Sequence, residues 1–219
     1  MSWIITGSQP IPAVIGEPFG GGYFAGYISH TADGNPTHAL IVAPRATGAT
    51  GTGYTLTTDL AWKTSNTATA DTASPFDGAA NTAAMIADDV STGVQNHPAA
   101  QFCANLTIGG FTDWYLPSRH ELDIAYFNMK PGILTNVNSS GINDYSVPKR
   151  VTNYTAIYPT QTILTAFNTS SEAFLAQYHW SSTRANDFSA ITVSFYNAEL
   201  NNPVKITNSR VRAFRRIAL

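Results

Sequence analysis

The chain has 219 residues, of which 43% are hydrophobic and only 12% are charged, with a formal net charge of −2. The length and apolar content exclude wholesale disorder, and the near-neutral charge gives no general attraction to nucleic acid or to an anionic membrane. The single cysteine, Cys103, excludes an internal disulfide and a multi-cysteine zinc site, so burial and hydrogen bonds must hold the fold.

The start of the chain carries no export or membrane signal. Residues 1–15 combine Gly7, Pro10 and Pro12 with apolar residues and have no clear period, which predicts an extended N-terminal arm that docks on another subunit. An ordinary edge strand is the alternative. There is no signal-peptide pattern and no run of about 20 apolar residues. We therefore expect synthesis in a host cytoplasm, without secretion and without membrane insertion.

The first regular elements form a hairpin. Residues 20–29 and 38–43 are predicted strands, and the Asp-Gly and Asn-Pro pairs between them favour a turn at 31–36. Residues 46–75 are rich in Thr, Gly, Ser and Ala. We expect a long surface excursion there, with Leu60 to Lys63 as its apolar anchor; Trp62 is a candidate to border a binding face.

Two helices are predicted next. The first covers residues 79–90, and the residues expected on its buried face are Ala83, Ile86 and Val90. The second begins at Pro98, which suits a first helical turn, and turns Cys103 toward a core as an inert hydrophobe.

The strongest local pattern is a capping box. Ser118 followed by Glu121 predicts the start of a helix just after Pro117, and Pro131-Gly132 predicts its end. Residues 132–175 then read as a long irregular insertion with one short strand. The period-two pattern returns after His179 and again near the C-terminus, which predicts a final section of β-strands.

Three fragments of the chain carry a family resemblance: residues 110–122, the run Trp180-Ser-Ser-Thr, and Val211-Arg-Ala-Phe-Arg-Arg. Their order and spacing resemble the Lcl C-terminal domain family, the head domain of a bacterial collagen-like adhesin, which is similar to C-type lectin folds. The resemblance implies an α+β fold with twisted antiparallel sheets, two or three helices and long irregular loops. No repeat and no strong linker divides the chain, so we expect one domain over residues 16–219. The resemblance also implies a homotrimer of the phage-tail or adhesin type.

The motif residues make physical sense as scaffold. Asp113 is expected to accept hydrogen bonds from backbone N–H groups or to pair with a C-terminal arginine. The large apolar side chains of Trp114, Leu116, Leu122 and Trp180 are expected to fill one common core. The hydroxyls after Trp180 are expected to satisfy backbone groups in a turn. The full scaffold set is Asp113, Trp114, Leu116, Pro117, Ser118, Glu121, Trp180, Ser181, Ser182 and Arg212.

The basic cluster near the C-terminus has two interpretations. Its members are Lys205, Arg210, Arg212, Arg215 and Arg216. The ordinary isoelectric point argues against a nucleic-acid patch. We expect anchoring to Asp113, Asp123 or Glu121, with Arg210 and Arg212 on one strand face and Val211 and Ala213 on the other, and bridging between subunits as the alternative.

No enzyme pattern is present. The chain lacks a nucleophile elbow, a P-loop, a dinucleotide fingerprint and a zinc-protease helix, so we predict no catalytic residue and no cofactor. The histidines show no helical i, i+4 pair, and residues 186–202 offer only Asp187 and Glu199 as carboxylates. The Glu-Pro-Asn signature of calcium-dependent lectins is missing. We predict no metal and no calcium-dependent sugar site.

The stretch between the last two scaffold motifs is the candidate binding surface. Tyrosine supplies rigid contact area and asparagine supplies adaptable hydrogen bonds, a combination typical of recognition surfaces. The candidate residues are Asn186, Asp187, Phe188, Tyr196, Asn197, Glu199, Asn201 and Asn202. Ordinary solvated loops are the alternative, and targeted diversification of residues 184–208 is a further hypothesis.

We therefore expect a phage virion protein on the tail or another exterior surface. It would be a tail-fibre or baseplate tip module that binds a host-surface glycan or protein without catalysis, attached to other virion proteins through its N-terminal arm. A virion structural or decoration protein without its own receptor is the first alternative. A bacterial adhesin is the second.

Overall fold

The computed structural model describes residues 10–51, 58–169 and 171–219, which form a mixed α+β fold with curled antiparallel sheets. The strands are β1 Pro18–Phe19, β2 Gly22–Ile28, β3 His38–Val42, β4 Leu60–Ala61, β5 Ser146–Val147, β6 Tyr178–Arg184, β7 Ala190–Ser194, β8 Leu200–Asn201, β9 Asn208–Ser209 and β10 Phe214–Ala218. The helices are α1 Arg45–Gly48, α2 Gly78–Thr92, α3 Pro98–Ala104 and α4 Arg119–Met129.

The largest sheet is built on the predicted hairpin. Strands β2 and β3 pair antiparallel, β10 from the C-terminus pairs with the far edge of β3, and β1 and β5 pair with β2. The β2–β3 register shifts between Phe24 and Gly26, where Gly26 has φ +127°. A bulge of this kind favours glycine because a side chain is strained at this backbone angle.

The core lies on both faces of this sheet. Residues 39–42 of β3 are all apolar; Ala39 and Ile41 enter one buried cluster, and Leu40 and Val42 enter the other. Such a run is typical of a strand buried on both faces. The residues Trp114, Leu116 and Trp180 lie in the first cluster, but Leu122 lies in the second. These four side chains therefore do not share the one core that the sequence had predicted; they are divided between two.

Helix α4 confirms the capping box. Ser118 Oγ accepts from the Glu121 N–H, and a Glu121 carboxylate oxygen accepts from the Ser118 N–H at 2.6 Å. The apolar side of the helix, including Leu122 and Met129, packs into the second cluster against β2. Glu121 is fully buried and its second carboxylate oxygen accepts from the Tyr115 hydroxyl at 2.7 Å.

Helix α2 exists as predicted, but only one of the three residues expected on its buried face packs against the core: Ile86 is partly buried against the first cluster. Val90 is 77% exposed and Ala83 is also exposed, whereas Met85 and Asn81 are fully buried. Asn81 is inside because its amide donates to the Ser74 carbonyl and the Ser182 hydroxyl. Helix α3 buries Cys103 completely, as expected.

The predicted surface excursion is partly buried. It contains all of α1 but its first residue, and it contains β4; residues 52–57 lie outside the described residues. Trp62 does not border a surface: it is fully buried and donates its indole N–H to the Ser181 carbonyl at 2.9 Å. Ser181 to Thr183 belong to β6 rather than to a turn, and their hydroxyls still bond the carbonyls of Ile191 and Ser74 or accept from Asn81.

The C-terminal arginines anchor the fold through carboxylates, but only one predicted partner is right. Arg215 makes a two-pronged ion pair with Asp113, at 2.7 and 2.9 Å. The pairs of the others are Arg210–Asp59, Arg212–Glu172 and Arg216–Asp77. Asp123 instead pairs with Arg150, and Glu121 is held by the capping box and Tyr115.

The expected alternation at residues 210–213 is found: Val211 and Ala213 both enter the first cluster, whereas the Arg212 guanidinium lies 5.0 Å from the ring centre of Phe174 in the second cluster. Val211, Arg212 and Ala213 are all buried. These three residues precede β10, which begins at Phe214. The Arg212 guanidinium donates hydrogen bonds to the Ala43 carbonyl and to the Glu172 carboxylate.

The structure describes only part of the predicted N-terminal arm, residues 10–15 of 1–15. Residues 1–9 lie outside the described residues, whereas Ile11 and Ile15 pack against the core clusters. Within the described chain, no helix combines the length and apolar character needed to cross a membrane.

Candidate functional site

An open cleft of about 570 Å³ lies where the β6–β7–β8 sheet meets the β4–β9 pair. Four of the predicted binding residues line it: Tyr196, Asn197, Glu199 and Asn201. Gln177, Tyr178 and Asn208 contribute from neighbouring segments. We call this the β6–β8 cleft.

Strand alternation sets which side chains reach the cleft. In β7, Thr192 and Ser194 line it, and Val193 between them points into the second core cluster. Cross-strand pairing places Thr192 opposite Asn201. One face of the β7–β8 hairpin is therefore polar and the other apolar.

The turn that follows β7 is held by its own side chains. The Ser194 hydroxyl accepts from the Tyr196 N–H at 3.2 Å, and the Asn197 carbonyl oxygen of the side chain accepts from the Glu199 N–H at 3.1 Å. These local bonds fix the backbone that carries Tyr196, which is 47% exposed. The aromatic ring is thus presented on a rigid turn.

Tyr178 and Glu199 are joined across the cleft. The Tyr178 hydroxyl donates to a Glu199 carboxylate oxygen at 2.6 Å. This bond, with burial as a second cause, raises the pKa of Tyr178 to about 12, so the phenol stays protonated. The carboxylate is held in place while part of it still faces solvent.

Arg210 supports the same region. Its guanidinium pairs with Asp59 and donates from Nε to the Gln177 side-chain oxygen at 2.6 Å. These contacts link the residue before β4, the residue before β6 and the segment between β9 and β10. The cleft walls are therefore fixed by side chains that are distant in sequence.

The other predicted binding residues lie outside the lining of the cleft; they are Asn186, Asp187, Phe188 and Asn202. The turn at 186–188 is tied elsewhere, because the Lys205 ammonium donates to the Asp187 carbonyl and the Lys205 N–H donates to the Phe188 carbonyl. Phe188 is 62% exposed on that turn.

Sequence reasoning missed Gln177, Tyr178 and Asn208. Tyr178 directly precedes the Trp180 motif, and an exposed aromatic residue at the start of a strand is a usable signal. The position of Tyr178 in the cleft depends on its pairing with Ser194 in the neighbouring strand, and no local pattern reveals that pairing.

One group of possible metal ligands occurs among the described residues: Asp88, Asp89 and His97. The possible ligand atoms of this group already have protein partners. His97 Nδ1 lies 2.7 Å from Asp89 Oδ1, and the Lys63 ammonium lies 3.1 Å from Asp88 Oδ2. A resident ammonium beside these carboxylates competes with a metal ion for the same charge, so we assign no metal here.

Neither a protein-family model nor a curated protein matches this chain. The geometry of the site is therefore the basis on which its function is argued.

Proposed function

We propose that this protein is a non-enzymatic recognition module that binds a host-surface glycan or protein in the β6–β8 cleft. The observation that carries the proposal is an open cleft lined by tyrosine, asparagine and glutamate on a hairpin held by its own hydrogen bonds. Exposed aromatic faces and amides suit the alternating apolar and hydroxyl surfaces of a sugar. A glycan is the ligand that this lining favours.

The proposal includes a wider setting, a C-type-lectin-like fold of the Lcl C-terminal type, displayed as a homotrimer on a phage tail fibre or baseplate tip. Two features support it: the motif residues Trp114 and Trp180 are buried scaffold, and long irregular segments surround the small sheets. Display in several copies would raise the avidity of a weak single site. Light scattering of the purified protein tests the trimer.

The experiment for the cleft is a glycan array, followed by titration of the best ligand with variants. Tyr196→Ala and Asn201→Ala should each weaken binding about tenfold, because each removes one ring or one amide from the contact surface. Phe188→Ala and Asn202→Ala are matched controls outside the cleft lining. Equal binding by all four variants would exclude this cleft as the site.

A structural or decoration role in a virion is the second candidate. The observation that favours it is an exposed apolar surface on α2, which includes Ala83, Ala87 and Val90. Surfaces of this kind often pack against other subunits. If no glycan or host cell is bound and particles lacking the protein fall apart, the structural role replaces recognition.

A further inference from the structure

A second cavity, of about 210 Å³, lies on the opposite face of the β7–β8 hairpin from the β6–β8 cleft. Val193 and Leu200 line it, and strand alternation turns these residues away from Thr192 and Asn201. Its other side is formed by the first turn of α4, with Arg119 and His120, and by loop residues that include Ser139 and Asn153. We call it the Arg119 pocket.

Arg119 differs from the other basic side chains around it. Most arginines and lysines of the described chain contact a carboxylate, and Lys130 and Lys205 donate to carbonyl oxygens. Among the described residues, the Arg119 guanidinium has neither kind of partner. Its Nε is inaccessible and has no hydrogen-bond acceptor, and its Nη2 lies 3.1 Å from His120 Nε2, a neutral acceptor that carries no charge to pair with it.

Asp123 also lines this pocket and interacts with the Arg119 charge, but no neighbouring group among the described residues forms an ion pair with Arg119. Burial, with Arg119 and Arg150 as further causes, lowers the pKa of His120 to about 3, so its ring is neutral at neutral pH. The Asp123 carboxylate is used by Arg150, by the Tyr154 hydroxyl at 2.6 Å and by an Asn143 amide. Asp144 pairs with Lys149.

The helix backbone is not the donor here. The Arg119 N–H donates to the Thr183 hydroxyl and the His120 N–H to the Pro75 carbonyl, so both amides are already bonded. The guanidinium itself carries the unpaired charge, and its Nε lacks an acceptor. A partly buried, unpaired cation costs free energy, and a small anion that reached it would recover that cost through charge-assisted hydrogen bonds.

We propose that the Arg119 pocket binds a compact oxyanion group, a carboxylate, sulfate or phosphate, held by the Arg119 guanidinium. Ser139 and Asn153 are exposed at the pocket and can add hydrogen bonds to the remaining oxygen atoms. The site holds one such group rather than a chain of sugars. It is separate from the β6–β8 cleft, so the inference does not depend on the proposed function.

The test is a set of titrations of the full chain with sodium sulfate, glucuronate and glucose at constant ionic strength. Each titration is monitored through the NMR signal of the Arg119 Nε–H group. Sulfate or glucuronate should shift it saturably with a dissociation constant of about 1–10 mM, the range for a few charge-assisted bonds. Glucose, which lacks the carboxylate, should not. Stronger binding of glucuronate indicates an acidic sugar as the source, and stronger binding of sulfate indicates an inorganic ion.

Arg119→Gln should weaken oxyanion binding at least tenfold, measured by calorimetry, and should leave the melting temperature without ligand unchanged or higher. Arg184→Gln is the matched control, because Arg184 pairs with Asp187 on another part of the surface and should keep binding intact. Binding that is equal in both variants, or absent in the parent protein, overturns the proposal. A melting temperature that falls in Arg119→Gln without loss of binding assigns Arg119 a structural role instead.

Discussion

At the scale of single residues, buried lysines hold irregular segments together. Lys205 is fully buried, donates to the Thr67 and Asp187 carbonyls at 2.9 Å each, and lies 4.7 Å from the ring centre of Trp62. Lys130 is similarly placed among carbonyl oxygens of the 132–175 insertion. An ammonium with three donors ties several carbonyls at once.

Lys205→Met should therefore lower the free energy of unfolding by about 1–3 kcal/mol, because it removes the donor that the Thr67 and Asp187 carbonyls share. Urea denaturation measures this. Lys149→Met is the control: Lys149 pairs with Asp144 at the surface and should change stability by less than about 0.5 kcal/mol. Equal effects would show that the buried ammonium adds nothing.

The Asp113–Arg215 pair gives a second test at this scale. Arg215 is 6% exposed and stacks 3.9 Å from the Phe111 ring, whereas the Asp113 side chain is half-exposed. Asp113→Asn should cost about 1–2 kcal/mol, since it removes the charge that the largely buried guanidinium bonds. Asp144→Asn is the matched surface control. Denaturant midpoints that coincide for the two variants would contradict this assignment.

At the scale of elements, α2 shows the limit of apolar periodicity. Its sequence is rich in alanine and threonine, so several faces are almost equally apolar, and the pattern favours a face of which only Ile86 packs against the core. The buried face includes Asn81, Thr82 and Asp89, which are inside because they bond Ser182, Leu116 and His97. Buried polar groups with partners are invisible to a hydrophobic pattern.

Substitutions on the two faces of α2 test this orientation. Met85→Ala should lower stability by about 2–5 kcal/mol, because Met85 is fully buried and its loss leaves a cavity. Val90→Ala should change stability by less than about 0.5 kcal/mol, since Val90 is 77% exposed. Thermal and urea denaturation of the two variants measure these losses of stability. A larger loss for Val90→Ala than for Met85→Ala would support the buried face predicted from the sequence.

At the scale of the whole molecule, all five histidines have a pKa below the ordinary value, with burial as the largest cause. For His30 the pKa is about 4, and for His120 and His179 it is about 3. Between these values and about 6.5 the unfolded chain binds protons that the folded chain does not. Stability is thus lost as the pH falls through this window.

Glu121 acts in the opposite direction, because burial raises its pKa to about 6 and its contribution falls as the pH rises from about 4.5 to 6. The histidines outnumber it, so the free energy of unfolding should decrease from pH ~6.5 to ~4.5. His179→Gln should flatten this slope by up to about 1.4 kcal/mol per pH unit, and Val90→Ala should keep it. Urea titrations over this range measure both; a flat profile for the parent protein would falsify the prediction.

The sequence by itself determined the features that depend on near neighbours: the β2–β3 hairpin, the Ser118–Glu121 capping box and the burial of Cys103. Each leaves a mark in a short stretch of sequence: turn residues between two apolar runs, a Ser-x-x-Glu spacing, and an apolar helical period. It also suggested residues 184–208 as a candidate binding surface, and four of the eight candidate residues line the β6–β8 cleft.

Only the tertiary structure decided which face of α2 is buried, which carboxylate each arginine meets and which side chains share a cleft. Trp62 meets Ser181 and Asp113 meets Arg215 across more than a hundred residues. The charge left unpaired at Arg119 is likewise visible only when every neighbour is in place. Such contacts depend on strand register and loop paths, and no short stretch of sequence encodes either one.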